Sequence, residues 1–82
     1  MDKTSLFNLN DIENALVSKT LLEVYRSLES RGYNPTSQII GYLITGDPGY
    51  VTSFENARNK MTSLDREKVL EIVLQDYMKN NL

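Results

Sequence analysis

The stretch GYNPTSQIIGYLITGDP, residues 32–48, decides how this chain folds. Asn34 followed by Pro35 is typical of a helix start, with an N-cap and then a first helical residue at which the missing N–H of proline costs nothing. From Gln38 onward the side chains are largely apolar until Gly46 ends the run. A short helix that is apolar on nearly every side is buried. This stretch therefore predicts a central, buried second helix.

One residue inside this helix calls for an explanation. Gly41 in a helix interior costs up to ~1 kcal/mol relative to alanine. A glycine retained there predicts that another backbone packs closely against the helix.

The residues before Gly32 predict a long amphipathic first helix from about Asp11 to near Arg31. Its apolar side chains recur at spacings of four, three and four, at Val17, Leu21, Val24 and Leu28. Residues 1–10 lack this spacing, and they predict a flexible N-terminal arm. Residues 11–82 are then a single helical domain.

The residues after Gly46 predict a turn and two further helices. Asp47-Pro48-Gly49 indicates a tight turn or a new cap. Thr52 and Glu55 have the spacing of a capping box, in which each side chain accepts from an unpaired backbone N–H. A break near residues 63–65 separates that helix from the last one.

The last helix carries more apolar side chains than one neighbour needs, namely Val69, Leu70, Ile72, Val73, Leu74, Tyr77 and Met78. Together with the surplus apolar width of the second helix, it predicts a symmetric homodimer. The fold class expected is all-α, a compact bundle of four to five short helices with a flexible N-terminal arm.

Composition excludes several classes of function. The 82 residues include no Cys and no His, which removes the usual zinc ligands and the Cys- and His-based nucleophiles. We therefore expect no enzyme, no metal and no cofactor. Nine basic against eleven acidic residues argue against general nucleic-acid binding. The absence of Cys, of a signal-peptide pattern at the start and of a membrane-spanning apolar run predicts a cytoplasmic protein without membrane insertion.

Several ordered motifs follow one another along the chain: Gly32-Tyr33-Asn34-Pro35, Gln38-Ile39-Ile40-Gly41-Tyr42-Leu43, Gly46-Asp47-Pro48 with Tyr50, and Ala57-Arg58-Asn59. In this order they closely resemble the IreB family, small proteins of low-GC Gram-positive bacteria. Thr4 with Phe7-Asn8-Leu9 is similar to the Thr-x-x-Phe-Asn-Phe arm of that family. The resemblance extends through Leu64-Asp65-Arg66-Glu67 to Tyr77 and so covers nearly the whole chain.

The resemblance implies a cytoplasmic regulator that forms a compact helical dimer and acts by protein–protein binding. It implies phosphorylation by a transmembrane Ser/Thr kinase in cell-envelope stress and antibiotic-tolerance signalling, with an unknown protein downstream. Thr4 matches the phosphoacceptor, and Ser5 is the fallback. The sequence departs from the family where Ser5 and Leu6 follow the threonine and where a second upstream threonine has no counterpart.

A possible recognition surface consists of Gly46, Asp47, Pro48, Tyr50 and Arg58. The first four are also typical of a plain helix stop and turn. For Arg58, an ion pair with Asp47 or Glu55 is the structural interpretation, and an anion site for a phosphorylated arm is the functional one.

Two further alternatives remain open. Arg58, Lys60, Arg66 and Lys68 surround a tight turn, which is loosely similar to a helix-turn-helix nucleic-acid-binding protein. Asp65, Glu67 and Glu71 are either a weak site for a hard cation or, as we expect, a solvated acidic face.

Overall fold

The computed structural model describes residues 9–82, which form four α-helices and two 3-10 turns and contain no strand. The helices are α1 (Leu9–Ser30), α2 (Pro35–Thr45), α3 (Ala57–Thr62) and α4 (Arg66–Asn81), and the 3-10 turns are Pro48–Tyr50 and Phe54–Asn56. This confirms the all-α prediction. Thr4 and Ser5 lie outside the described residues. Of the predicted arm over residues 1–10, the last two residues belong to α1, and the rest stays a prediction.

The corner between α1 and α2 follows the predicted local signals. Gly32 has φ 87°, and the N–H of Tyr33 donates to the carbonyl of Leu28 at 3.0 Å. Asn34 is the N-cap of α2, because its Oδ1 accepts from the Ser37 N–H at 3.0 Å. Only the start of α1 differs, since it begins at Leu9, two residues before the expected Asp11.

The hydrophobic core runs along one side of α1. Nine side chains are buried among the described residues: Val17, Val24, Leu28, Ile39, Tyr42, Val51, Ala57, Met61 and Val69. Leu21, Leu43, Leu64 and Ile72 are partly buried around them. Every described helix and the loop at Val51 contribute to this cluster, so the core joins them into one body.

Helix α4 contributes little to this core. Val69 is its one buried residue, whereas Leu70, Val73, Leu74 and Tyr77 are 51%, 48%, 60% and 62% exposed. Apolar side chains thus do line a wide face of α4, as its sequence predicts, and much of that face lies on the protomer surface. None of the described helices is long and apolar enough to cross a membrane.

The predicted capping box at Thr52 and Glu55 is wrong. Glu55 has φ 51° and Asn56 has φ 65°, so α3 begins only at Ala57. The Thr52 N–H instead donates to Gln38 Oε1 on α2 at 2.9 Å. The core holds Val51 and Gln38 holds Thr52, and a left-handed kink at Glu55 and Asn56 follows before α3 starts.

Candidate functional site

The predicted recognition surface begins with a turn that satisfies its own polar groups. Gly46 has φ 75°, and its N–H donates to the Tyr42 carbonyl at 2.7 Å, which ends α2. Asp47 Oδ1 accepts from the Gly49 N–H at 2.8 Å, so Asp47 caps the first 3-10 turn. The interpretation as a helix stop followed by a new cap is therefore confirmed at these positions.

Tyr50 folds back over α2 and explains Gly41. A Cβ built on Gly41 would lie 2.4 Å from Tyr50 Cδ1, a distance that real Cβ atoms do not adopt. The prediction of a close neighbour was right in kind but wrong in identity, because the neighbour is an aromatic ring rather than a backbone. The ring still leaves 49% of Tyr50 exposed.

Arg58 fastens the end of this loop. Its Nε donates to the Val51 carbonyl at 2.8 Å, while Val51 itself is fully buried. Within residues 9–82, no ion pair joins Arg58 to Asp47 or Glu55, so the predicted pairing is wrong. The guanidinium instead binds this carbonyl, which ties the start of α3 to Val51.

Sequence reasoning missed the role of Arg66, the first residue of α4, at the end of α2. Its Nη1 donates to the Leu43 carbonyl at 3.2 Å, across 23 positions. A Cβ on Gly46 would meet Arg66 Cζ at 2.9 Å, so the glycine also makes room for the guanidinium. A cation at the last carbonyls of α2 complements the negative end of its dipole.

These contacts bring Gly46, Asp47, Pro48, Tyr50 and Arg58 into one strap, residues 46–58, that is bound to α2. Asp47, Pro48, Tyr50 and Arg58 remain at its surface. The strap is thus an exposed feature of the fold that is hydrogen-bonded to α2. Its use as a recognition surface stays a prediction.

A second cluster, also missed from the sequence, surrounds Lys68. Its Nζ lies 3.1 Å from Asn10 Oδ1, 3.8 Å from Glu13 Oε1 and 3.2 Å from Glu71 Oε1. The hydrogen bond to Glu71 raises the pKa of Lys68, opposed by partial desolvation and reinforced by the charges of Glu71, Glu13 and Asp65. One ammonium therefore ties the first turns of α1 to those of α4.

The basic residues that suggested a nucleic-acid surface are engaged within the protein. Lys60 Nζ lies 3.9 Å from Glu23 Oε1, and the three others hold carbonyl or carboxylate groups as described above. A phosphate-binding surface requires cations that are free to contact the nucleic-acid backbone. No feature of these contacts favours nucleic-acid binding.

The acidic residues considered as a cation site also have local partners. Asp65 caps α4, because its Oδ1 accepts from the Glu67 N–H at 3.0 Å, and Glu71 pairs with Lys68. Among residues 9–82, no three potential ligand side chains lie close enough together to hold a metal ion.

Comparison with known protein families identifies a match over nearly the whole chain. A family model described as IreB regulatory phosphoprotein matches residues 2–79. The matched range includes the whole core, the strap and the Lys68 cluster. It also includes Thr4 and Ser5, which precede the described residues.

Proposed function

Because this chain belongs to the IreB family of regulatory phosphoproteins, we propose that it is a cytoplasmic substrate of a transmembrane Ser/Thr kinase. In this proposal Thr4 accepts the phosphate, and Ser5 is the alternative acceptor. The protein takes part in cell-envelope stress and antibiotic-tolerance signalling. Its output is binding to another protein rather than catalysis.

The family match over residues 2–79 is the observation that carries this proposal. The chemistry of the chain agrees with it. A phosphate adds about −1.5 to −2 charge and three acceptor oxygens, enough to change what a short segment contacts. Catalysis would instead need a positioned nucleophile and base, and the chain contains neither Cys nor His.

Phosphosite mapping by mass spectrometry tests the kinase proposal. The protein is recovered from its native cells, with and without a cell-wall-active antibiotic. We expect phosphate on Thr4 whose occupancy changes with treatment. A Thr4→Ala variant expressed in the same cells is the control, and any phosphate that remains in it identifies Ser5 or another acceptor.

The proposal fails if peptides covering residues 1–10 are well observed and none carries phosphate in either condition. If phosphate is present but its occupancy does not change with the antibiotic, the protein is a phosphoprotein and the proposed link to envelope stress is wrong. Loss of the kinase gene product should abolish the modification.

We propose further that the protein acts as a homodimer. A groove of about 200 Å³ lies between α1, α2 and α4, lined by Leu21, Tyr25, Thr36, Ile39, Ile40, Leu43, Val69 and Val73. We call it the dimer groove. Tyr25, Ile40 and Val73 are 38%, 48% and 48% exposed there, and large apolar surfaces of this kind mark interaction sites.

Val73→Asp should convert the dimer into a monomer at ~10 μM protein, because a carboxylate in an apolar interface has no partner. The measurement is light scattering after size exclusion, with a wild-type mass expected at twice the 9.4 kDa of one chain. Leu16→Asp is the matched control, since Leu16 is 60% exposed on α1 but lies outside the groove.

Circular dichroism establishes that both variants remain helical. A monomeric wild-type protein at this concentration would remove the dimer from the proposal. Dissociation by Leu16→Asp and not by Val73→Asp would relocate the interface to the start of α1.

A further inference from the structure

The Lys68 cluster lies where the described chain begins. Lys68 Nζ bonds Asn10 Oδ1 at 3.1 Å although 58 positions separate the two residues. Residues 1–8 join the described chain at Leu9, one residue before this contact. The first described residues are therefore tethered beside the first turns of α4.

A shallow groove lies on α4 at this tether. Its volume is about 530 Å³, and its lining is Asp65, Glu67, Lys68, Leu70, Glu71 and Leu74. We call it the acidic groove. Leu70 and Leu74 are 51% and 60% exposed, and three carboxylates against one ammonium surround them. The groove combines an apolar floor with a negative rim.

The acidic groove and the dimer groove face different directions. Leu74 lies about 100° further round the helix axis than Val73, which lines the dimer groove. The surfaces share α4 and can accept different occupants.

We propose that the acidic groove is the docking site of this chain's own residues 4–8, with Leu6 and Phe7 against Leu70 and Leu74, and that phosphate on Thr4 releases them. The releasing step rests on the proposed function. Docking of the unmodified segment does not.

Because Leu9 lies beside the groove, only a short length of chain is needed for residues 4–8 to reach it. Phe7 stands two residues before Leu9, so the two are separated by at most ~7 Å of extended chain. Thr4 stands five residues before Leu9, at most ~17 Å away. Leu6 and Phe7 are the large apolar residues of this span, and covering exposed leucines with them removes apolar surface from water.

Charge explains how a phosphate would act. Asp2 and Lys3 balance each other, so the side chains of the unmodified segment carry no net charge to oppose the carboxylates. Phosphate adds about −1.5 to −2 charge at Thr4, two residues from Leu6 and within about one Debye length of the groove rim. Lys68 is already bonded to Asn10, Glu13 and Glu71, so it offers the phosphate little. Repulsion from the rim should shift docking by roughly 3- to 10-fold.

The test compares the full-length unmodified protein with the same protein carrying phosphothreonine at position 4. In the unmodified form we expect nuclear Overhauser contacts between the Phe7 ring and the methyl groups of Leu70 and Leu74. Amide exchange over residues 4–8 should be slowed, and phosphorylation should accelerate it by roughly 3- to 10-fold. Glu67→Gln combined with Glu71→Gln should blunt that acceleration.

Leu74→Asn should accelerate exchange over residues 4–8 in the unmodified protein, whereas Leu16→Asn, on an equally exposed leucine, should not. Exchange at the unstructured rate in the wild type, or indifference to Leu74→Asn, overturns docking. Conversion of the dimer to monomer by Leu74→Asn also overturns it, because a second copy would then cover this groove.

Contacts that persist after phosphorylation overturn the release step alone. The docking measurements use unmodified protein made without the kinase, so their outcome does not depend on the proposed function. If the segment docks but the protein is never phosphorylated in cells, the proposed function is refuted and the acidic groove remains the docking site.

Discussion

Leu28→Ala should lower the free energy of unfolding by about 2–5 kcal/mol, the range for removing a fully buried leucine and leaving a cavity. Leu28 has no exposed surface and lies in the core next to the end of α1. Its carbonyl also accepts the Tyr33 N–H at 3.0 Å, so the residue stands where α1 turns toward α2. The surrounding backbone is thus held in place and cannot readily collapse into the space.

Thermal and urea unfolding at one fixed protein concentration measure this effect, because the proposed dimerisation would make stability depend on concentration. For a domain of this size the loss corresponds to a fall in midpoint temperature of ~4–8 °C per kcal/mol. Leu16→Ala, at a residue 60% exposed, is the control and should change stability far less. Equal effects of the two substitutions would contradict the core described here.

Gly41→Ala should destabilise the protein by about 1–3 kcal/mol, the usual cost of inserting a methyl group into filled space. The new Cβ would lie 2.4 Å from Tyr50 Cδ1 and 2.9 Å from Tyr50 Cγ. These are atoms at the base of the ring, so the whole side chain has to move. Alanine in place of glycine otherwise favours a helix by up to ~1 kcal/mol, so the clash must outweigh that gain.

A double-mutant cycle with Tyr50→Ala makes this prediction specific. Without the ring, Gly41→Ala meets no obstacle, and its sign should reverse to a stabilisation of up to ~1 kcal/mol. Chemical denaturation of the four proteins supplies the cycle. An identical penalty in both backgrounds would show that something other than the Tyr50 ring requires the glycine.

The family assignment and the regulatory interpretation depend on motifs that can be read in the chain, whereas the candidate surfaces depend on its tertiary structure. The strap of residues 46–58 was visible as a group of candidate residues. Its bond to Gln38 of α2, its closure by Arg58 on Val51 and the bond of Arg66 to the end of α2 were not. The acidic face of Asp65, Glu67 and Glu71 was visible in the sequence. The tether at Asn10 was not, because a lysine and an asparagine 58 positions apart have no recognisable pattern.

By itself the sequence determined the helices and their stops where the physical causes are local. Asn34 caps α2 through a bond to Ser37, and Gly32 and Gly46 adopt the positive φ that ends a helix. These interactions span at most a few residues. The periodicity of α1 likewise follows from one helix presenting one face to the core.

Only the tertiary structure decided where distant groups meet. Thr52 and Glu55 have a capping-box spacing, yet Gln38 takes the Thr52 N–H and the chain kinks at Glu55. Local preference is worth about 1 kcal/mol, and burial of Val51 with its bonded neighbours outweighs it. The contact of the Tyr50 ring with Gly41 likewise results from tertiary packing, and no sequence spacing predicts it.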